Sequence, residues 1–228
     1  QNQTRLTFNT AEDRRPSCHP DGNRILFESD RTGMNHLYTY DLQSERIEKL
    51  PTPEYGEPVF ASYSPDGRTI AFSLKISDET SDLILLDMNS KSNPRKNLIS
   101  NGFRNFYPKW SPDGKVIAFF YRKDTENQID DIYTINIYTK QIKRITELDK
   151  HSFCPSFSQD GKQLAFVNAM EKSRPELFVI DVSGENLKQI TDNRDGDTLP
   201  CWSTDDKKIL FTGYRQGSFQ ICEITLNQ

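Results

Sequence analysis

The sequence predicts an all-β protein, a five-bladed β-propeller in which each blade is a four-stranded antiparallel sheet. A segment of nine residues recurs five times, at intervals of 45 or 47 residues, and each copy carries a short apolar strand. Aromatic residues make up 11% of the 228 residues, although hydrophobic residues as a whole reach only 34%. Many small aromatic-rich sheets fit this composition better than one thick aliphatic core, and the aromatic content argues against disorder.

The repeated segment has the pattern of a tight turn followed by a strand. In three copies proline at the second position (Pro20, Pro65 and Pro112) presets φ, and glycine at the fourth position accepts a positive φ. Asp206 replaces this glycine in the last copy, and aspartate is one of the few other residues that enter the left-handed region at modest cost. We therefore predict five hairpin turns, each leading into a strand. The copies are HPDGNRILF from His19, SPDGRTIAF from Ser64, SPDGKVIAF from Ser111, SQDGKQLAF from Ser158 and STDDKKILF from Ser203.

One strand precedes each turn, and the strand after the turn is followed by a third strand and, in four copies, by a fourth. The preceding strand carries proline in four copies, which places it at the edge of its sheet, innermost in the blade. The residue before each turn is expected to pack between neighbouring blades: Cys18, Tyr63, Trp110, Phe157 and Trp202. The third strands end at Asp41, Asp87, Asn136, Asp181 and Thr225, and fourth strands begin at Arg46, Arg95, Gln141 and Leu187.

The last copy has no fourth strand of its own. Thr7 lies 13 residues before Pro20, the same separation as between Thr146 and Gln159 in a complete copy. We therefore expect Thr4 to Phe8 to pair beside Ile221 to Thr225 and to close the ring, which leaves no open edge. The prediction is a single domain over residues 1–228, with blades at 9–52, 53–100, 101–146, 147–191 and 192–228 plus 1–8.

Charge and hydropathy exclude several classes of function. The net charge is −4 and no long basic run occurs, so we expect no nucleic-acid partner. The longest strongly apolar stretch, Val116 to Tyr121, is far too short to span a membrane, and no signal-peptide pattern is present. We expect a monomer. The four cysteines form no CxxC pair and are interpreted as small, buried free thiols, with one disulfide between neighbouring blades as the alternative in an exported protein.

The repeat resembles that of TolB-type propellers over essentially the whole chain. The resemblance is carried by Pro108 to Phe119, with the pattern P-x-W-S-P-D-G-x-x-I-A-F, and by the following IYTINIYTKQIKRIT. It implies a propeller fold and a periplasmic or secreted bacterial setting. TolB itself has six blades and an additional N-terminal α/β domain, and this sequence shows neither, so membership of the Tol–Pal system is not implied.

Candidate binding residues lie in the loops that lead into the first strands, because these loops gather at one mouth of the ring. They combine carboxylates with aromatic and basic residues, and arginines from a second set of loops join them. We expect three of these arginines either to pair with a polar residue of their own blade or to form a rim that contacts a ligand. The expected pairs are Arg31 with Asp13, Arg122 with Asn105, and Arg215 with Asp197. The candidates are Glu12, Asp13, Arg31, Tyr55, Glu57, Arg104, Asn105, Arg122, His151, Asp195, Asp197 and Arg215.

These observations favour a non-enzymatic binding or scaffold propeller that recognises a protein or peptide partner, with no cofactor. Function on such a scaffold depends on its loops. The alternative is a carbohydrate-binding protein or metal-dependent enzyme of lyase or hydrolase type that uses the acidic, aromatic mouth. Ca²⁺ at the mouth belongs to this alternative, but no DxDxDG loop occurs. The chain resembles oligogalacturonate lyases without their histidine cluster, and it has no GxSxG motif of a hydrolase.

Overall fold

The computed structural model describes residues 3–90, 92–122, 129–169, 174–193 and 195–226, and all regular elements in these residues are β-strands. They form five successive antiparallel meanders, which we call units. The first unit contains β1 (Asp13–Cys18), β2 (Arg24–Ser29), β3 (His36–Asp41) and β4 (Ile47–Lys49). The second contains β5 (Glu57–Tyr63), β6 (Thr69–Lys75), β7 (Ser81–Asp87) and β8 (Arg95–Ile99).

The remaining units repeat this order. The third contains β9 (Arg104–Trp110), β10 (Val116–Arg122), β11 (Asp131–Asn136) and β12 (Ile142–Arg144). The fourth contains β13 (His151–Phe157), β14 (Gln163–Ala169), β15 (Glu176–Asp181) and β16 (Lys188–Gln189). The fifth contains β17 (Asp197–Trp202), β18 (Lys208–Arg215) and β19 (Ser218–Thr225). Strands pair in chain order within each unit, as the repeat predicts. No helix long and apolar enough to cross a membrane occurs in the described residues.

The turn between the first two strands has the predicted conformation. In the second unit, Ser64 Oγ donates to the Asp66 carboxylate at 2.6 Å and accepts the Thr69 amide at 3.0 Å. Gly67 takes a φ of 71°, and Asp206 takes 56° at the same place in the last unit. The serine side chain therefore ties the two ends of the turn together, which fixes the start of the second strand.

A β-bulge interrupts the first strand of every unit. The pairing of the first two strands shifts register there, and one non-glycine residue takes a positive φ. These residues, with φ between 49° and 60°, are Arg15, Phe60, Tyr107, Cys154 and Leu199. The bulge bends each first strand at the same level, directly beyond the predicted mouth.

Successive units pack face to face through equivalent residues. Between the first and second units, Leu26 and Leu37 form one buried cluster with Ile70 and Phe72. The same positions build the other three clusters: Ala71 and Leu83 with Ile117 and Phe119, Ala118 and Ile132 with Leu164 and Phe166, and Ala165 and Leu177 with Ile209 and Phe211. Most of the apolar core therefore lies between sheets, as expected for propeller blades.

The outward face of the fifth unit breaks this pattern. Leu210 and Ile221 are 38% and 79% exposed, whereas the residues at the same positions of the other four units are at most 1% exposed. Pro16 and Cys18 are exposed on the first unit. Successive units share strand contacts, but within the described residues no substantial contact joins the strands of the fifth unit to those of the first. Closure of the ring is therefore not confirmed.

The predicted closing strand is wrong. Residues 3–8 form no strand, and the sheet of the fifth unit has three strands in the described part of the chain, while residues 1, 2, 227 and 228 lie outside it. In the third unit, a threonine just after the fourth strand holds the third strand, since Thr146 Oγ1 accepts the Ile132 amide at 2.8 Å. Thr7 instead contributes a hydrogen bond to Asp13, and its carbonyl accepts Arg5 Nε at 2.6 Å. Local contacts of this kind compete with sheet pairing.

Candidate functional site

The loops that lead into the first strands place the predicted candidates at one level of the molecule. Four of these strands begin at a candidate residue: Glu57, Arg104, His151 and Asp197. β1 begins at the candidate Asp13. Since neighbouring first strands pack against one another, these starting residues define a common edge, which we call the mouth.

Two of the predicted arginine pairs are confirmed. Arg31 Nη2 donates to Asp13 Oδ1 at 2.9 Å, and Arg215 Nη2 donates to Asp197 Oδ1 at 2.7 Å. The Asp197 side chain is fully buried and also accepts Asn193 Nδ2 at 2.5 Å. These charge-assisted hydrogen bonds fix the loop before the first strand to the loop after the second strand. The four residues thus have a structural role at the mouth.

Partial burial alone would raise the pKa of Asp13, but its hydrogen bonds outweigh that effect. Donors from Ser29, Arg31, Thr7 and Asn9 hold the pKa of the carboxyl at about 2. The hydrogen-bond donors around Asp13 therefore stabilise its ionised form.

The third expected pair is different. Arg122 binds Asp130 through two hydrogen bonds of 3.0 and 2.9 Å, and Asn105 instead donates to the Ser81 carbonyl at 2.8 Å. His151 Nδ1 lies 3.2 Å from the same Asp130 carboxylate. Asp130 follows a loop of variable length, so no repeat position indicated it from the sequence. It links two predicted candidates, Arg122 and His151, from neighbouring units.

The first three units enclose a cavity of about 480 Å³ beside the mouth. Its wall combines acidic, basic and apolar side chains: Glu12, Arg14, Arg15, Asp30, Gly33, Met34, Asn35, Glu57, Val59, Phe60, Lys75 and Phe106. Glu12 and Glu57 are predicted candidates, whereas Arg15 and Phe60 are the bulge residues of their units. The bulges bring both side chains into the cavity wall, and no glycine or proline pattern reveals them in the sequence.

A buried carboxylate lies behind the wall of this cavity and binds two of its residues. Glu28 is 1% exposed, and its two oxygens accept Arg15 Nη1 at 2.5 Å and the Phe60 amide at 2.7 Å. Burial raises the pKa of Glu28 despite the neighbouring Arg15. The Arg15 guanidinium in turn lies 4.4 Å from the centroid of the Phe60 ring. Arg15 and Phe60 are thereby held as a preorganised cation–aromatic pair at the surface of the cavity.

Arg104 is a second cation at the mouth. Its guanidinium lies 5.1 Å from the Phe106 centroid and 5.7 Å from that of Phe120. Its Nε is buried and has no hydrogen-bond partner among the described residues. Phe103, the residue before Arg104, is 36% exposed, and Tyr55, in the loop before β5, is 58% exposed. In the third unit, the positive charge of Arg104 therefore lies over the rings of Phe106 and Phe120.

Other candidates are held by local contacts. The Asp195 amide donates to Asn193 Oδ1 at 2.8 Å, within the loop that positions Asp197. Among the described residues, no three histidine, cysteine, aspartate or glutamate side chains are grouped as a metal site would need. His19 and His36 lie outside the mouth and contact the Gly67 carbonyl and the Thr52 hydroxyl, both at 3.1 Å.

Beyond the bulges lies an inner group of titratable residues. Lys109 Nζ is 4.9 Å from the centroid of the Tyr107 ring, and burial lowers the pKa of this lysine. Burial raises the pKa of the Cys154 thiol to about 12 and also raises that of Tyr107. The thiol of Cys154 is therefore protonated at neutral pH and is a poor nucleophile.

The sequence profile described as the TolB beta propeller domain matches residues 1–132 and 124–228. The crystal structure of TolB from Acinetobacter baumannii superposes with a TM-score of 0.80 at 18% identity, over 96% of this chain and 53% of that one. The chain thus spans about half the length of that TolB.

Two similar proteins are enzymes by name. An oligogalacturonate lyase from Vibrio parahaemolyticus has a TM-score of 0.72 and 15% identity, covering 93% of this chain and 63% of its own. Dipeptidyl-peptidase 5 of Porphyromonas gingivalis is 38% identical over 50 residues, which are 22% of this chain and 7% of that protein. The structural matches establish a shared fold across proteins with different activities.

Proposed function

Since the chain belongs to the TolB beta propeller domain family, we propose that it is a non-enzymatic binding module that holds a protein or peptide partner at the mouth. The observation that carries this proposal is the preorganised wall of the 480 Å³ cavity, where Arg15 is fixed over Phe60 by the buried Glu28. A binding site of this kind loses little conformational entropy when a ligand arrives.

The mouth residues fall into two groups: those that fix the loops and those that would contact the partner. Asp13, Arg31, Asp197 and Arg215 are paired with one another and support the loops. Contacts come from the cavity wall and from Arg104, which provide apolar surface, positive charge and the carboxylate of Glu57. A peptide with an aliphatic or aromatic side chain beside an acidic one matches this arrangement, because the apolar group packs on Phe60 and Phe106 while the acid meets Arg15 or Arg104.

We also infer the setting of this module. The five units are taken as the blades of one propeller domain over residues 1–228, acting as a monomer without a cofactor. The resemblance to TolB supports a periplasmic or secreted location in a bacterium. Ca²⁺ at the mouth is the competing reading, and a thermal shift of several degrees on addition of Ca²⁺ to the protein would favour it.

The proposal is tested by selecting peptides against the protein from a random display library and measuring their dissociation constants by fluorescence anisotropy. We expect Phe60→Ala and Arg104→Ala each to weaken the selected peptides by about tenfold or more. Tyr138→Ala is the matched control, since Tyr138 is an aromatic residue at 72% exposure beside the β11–β12 turn. It should leave the affinity unchanged.

Two results would contradict the proposal. One is a set of selected peptides whose affinity is insensitive to both mouth variants. The other is turnover: depolymerisation of an oligogalacturonide, with or without Mn²⁺ or Ca²⁺, would assign the mouth to the enzymatic alternative.

A further inference from the structure

Neighbouring first strands meet through their last two residues. Trp110, the last residue of β9, donates from Nε1 to the carbonyl of Ser62, the penultimate residue of β5, at 3.3 Å. Trp202 makes the same bond to Ser156 at 3.0 Å. The Ser62 hydroxyl lies 3.4 Å from the Pro108 carbonyl, so the penultimate side chain also points at the next strand. Each of these junctions therefore places the penultimate residue of one first strand beside the last residue of the next unit's first strand.

The repeat fixes which residues meet at each junction. Ser62 with Trp110 and Ser156 with Trp202 are the two hydrogen-bonded pairs. At the other two internal junctions the equivalent positions hold Ser17 with Tyr63 and Lys109 with Phe157. A junction between the fifth and first units would place Cys201, the penultimate residue of β17, beside Cys18, the last residue of β1. Of these five combinations, it is the one in which both positions carry a thiol.

Both thiols lie on the faces of the first and fifth units that have no neighbouring unit in chain order. Cys18 and Cys201 are free and, contrary to the burial expected from the sequence, exposed. Leu210 and Ile221, on the same outward face of the fifth unit, have the exposure of residues that lack their usual neighbouring sheet. The facing side of the first unit is apolar: Phe27 and Tyr38, 5% and 3% exposed, form a cluster of their own that Ile25 extends.

We propose that Cys18 and Cys201 form a disulfide that closes the five units into a ring. The two thiols are oxidised by a low-molecular-weight disulfide such as glutathione disulfide, which is reduced to two thiols, so that one S–S bond breaks and one forms. Each cysteine transfers its proton to a leaving thiolate or to solvent. The covalent bond takes the place of the tryptophan hydrogen bonds that hold two of the four internal junctions, at the junction that has no peptide connection.

The location of the two cysteines gives the bond a large constraining effect. Residues 18 and 201 enclose most of the chain, and a disulfide that closes a long loop restricts the unfolded state more than a short one does. Such a bond persists in an oxidising compartment, which accords with the periplasmic or secreted setting proposed above. In the reduced protein this junction lacks its covalent link.

The test treats the folded protein with glutathione disulfide and maps its disulfides by mass spectrometry of a non-reduced digest. We expect an intramolecular Cys18–Cys201 linkage, loss of two hydrogens from the intact mass, and a rise in Tm on the order of 10 °C. Cys222→Ser should behave as the wild type. Cys18→Ser should abolish both the linkage and the rise in Tm, and dithiothreitol should reverse them in the wild type.

Other outcomes would overturn the inference. They are a linkage between Cys201 and Cys222, disulfide-linked dimers, or glutathione adducts at Cys18 and Cys201 without a bond between them. Each would mean that the first and fifth units do not come together. Peptide binding at the mouth is measured on the reduced protein, so this proposal and the binding proposal fail independently.

Discussion

Asp13 is the mouth carboxylate whose ionisation has the clearest effect on stability. Its pKa is held at about 2 against an ordinary value of 3.8, so the stabilisation it provides is complete above the unfolded value and is lost as the pH falls through the folded one. We expect Asp13→Asn to lower the free energy of unfolding by about 1–2 kcal/mol at pH 6, after allowance for solvent screening.

Urea unfolding of both proteins at pH 6 and pH 2.5 measures this difference. The gap between Asp13→Asn and the wild type should narrow at the lower pH, because the wild-type carboxyl is then partly protonated. A gap of equal size at both pH values would show that Asp13 acts through its shape and not through its charge.

Gly67 occupies a turn where conformation and packing both require glycine. Its φ is 71°, and a Cβ would stand 2.2 Å from Nε2 of the buried His19. Gly33 has a φ of 92°, but its Cβ would meet nothing within 4 Å. Gly67→Ala should therefore cost about 2–4 kcal/mol and Gly33→Ala about 1 kcal/mol in thermal or urea unfolding. Equal costs would show that the contact between the first and second units relaxes freely.

Single residues also show where sequence reasoning ends. The positive φ of Asp206 follows from its place in the repeat and is confirmed. The positive φ of Arg15 and Phe60 does not follow, because a bulge arises from the pairing of two strands and leaves no fixed residue type. The bond of Arg122 to Asp130 was missed for a related reason, since Asp130 lies in a loop that differs in length between units.

The outward face of the fifth sheet gives a prediction for whole elements. Ile132 and Ile221 hold the same position on the third strand of their units, yet they are 0% and 79% exposed. In the reduced protein, Ile132→Ala should cost about 2–5 kcal/mol and Ile221→Ala less than about 1 kcal/mol. Urea unfolding measures both. A comparable cost at Ile221 would mean that another sheet covers this face in solution.

Strand order was predictable and strand closure was not. Each repeat carries its own turn residues, its own apolar strands bounded by polar residues, and a proline. These local signals determine that successive strands pair as an antiparallel meander. The closing strand rested on register alone, and the hydrogen bonds of Thr7 and Arg5 within the N-terminal segment replace the expected pairing. The register that Thr4 to Phe8 shares with the fourth strands shows that this segment could pair with a sheet. Its local hydrogen bonds, which compete with that pairing, determine whether it does.

Considered whole, the molecule is a row of equivalent sheets whose specific chemistry lies where the repeat varies. The turns and the cores between sheets use the same residues in unit after unit, and they position the mouth without taking part in it. The mouth uses positions that differ in every unit, such as Arg15, Phe60 and Tyr107 at the bulge. The repeat therefore predicts where the mouth lies. The cavity beside it depends on the bulges in the folded backbone, which the repeat does not reveal.

Hydrogen–deuterium exchange of the reduced protein, with and without a selected peptide, tests the binding proposal most directly. We predict that the peptide slows exchange at the starts of β1, β5 and β9, near Arg15, Phe60 and Phe106, and leaves the opposite hairpin turns near Gly67 and Gly114 unchanged. Slower exchange at those turns, with none at the mouth, would contradict the proposal that this protein binds its partner through the mouth.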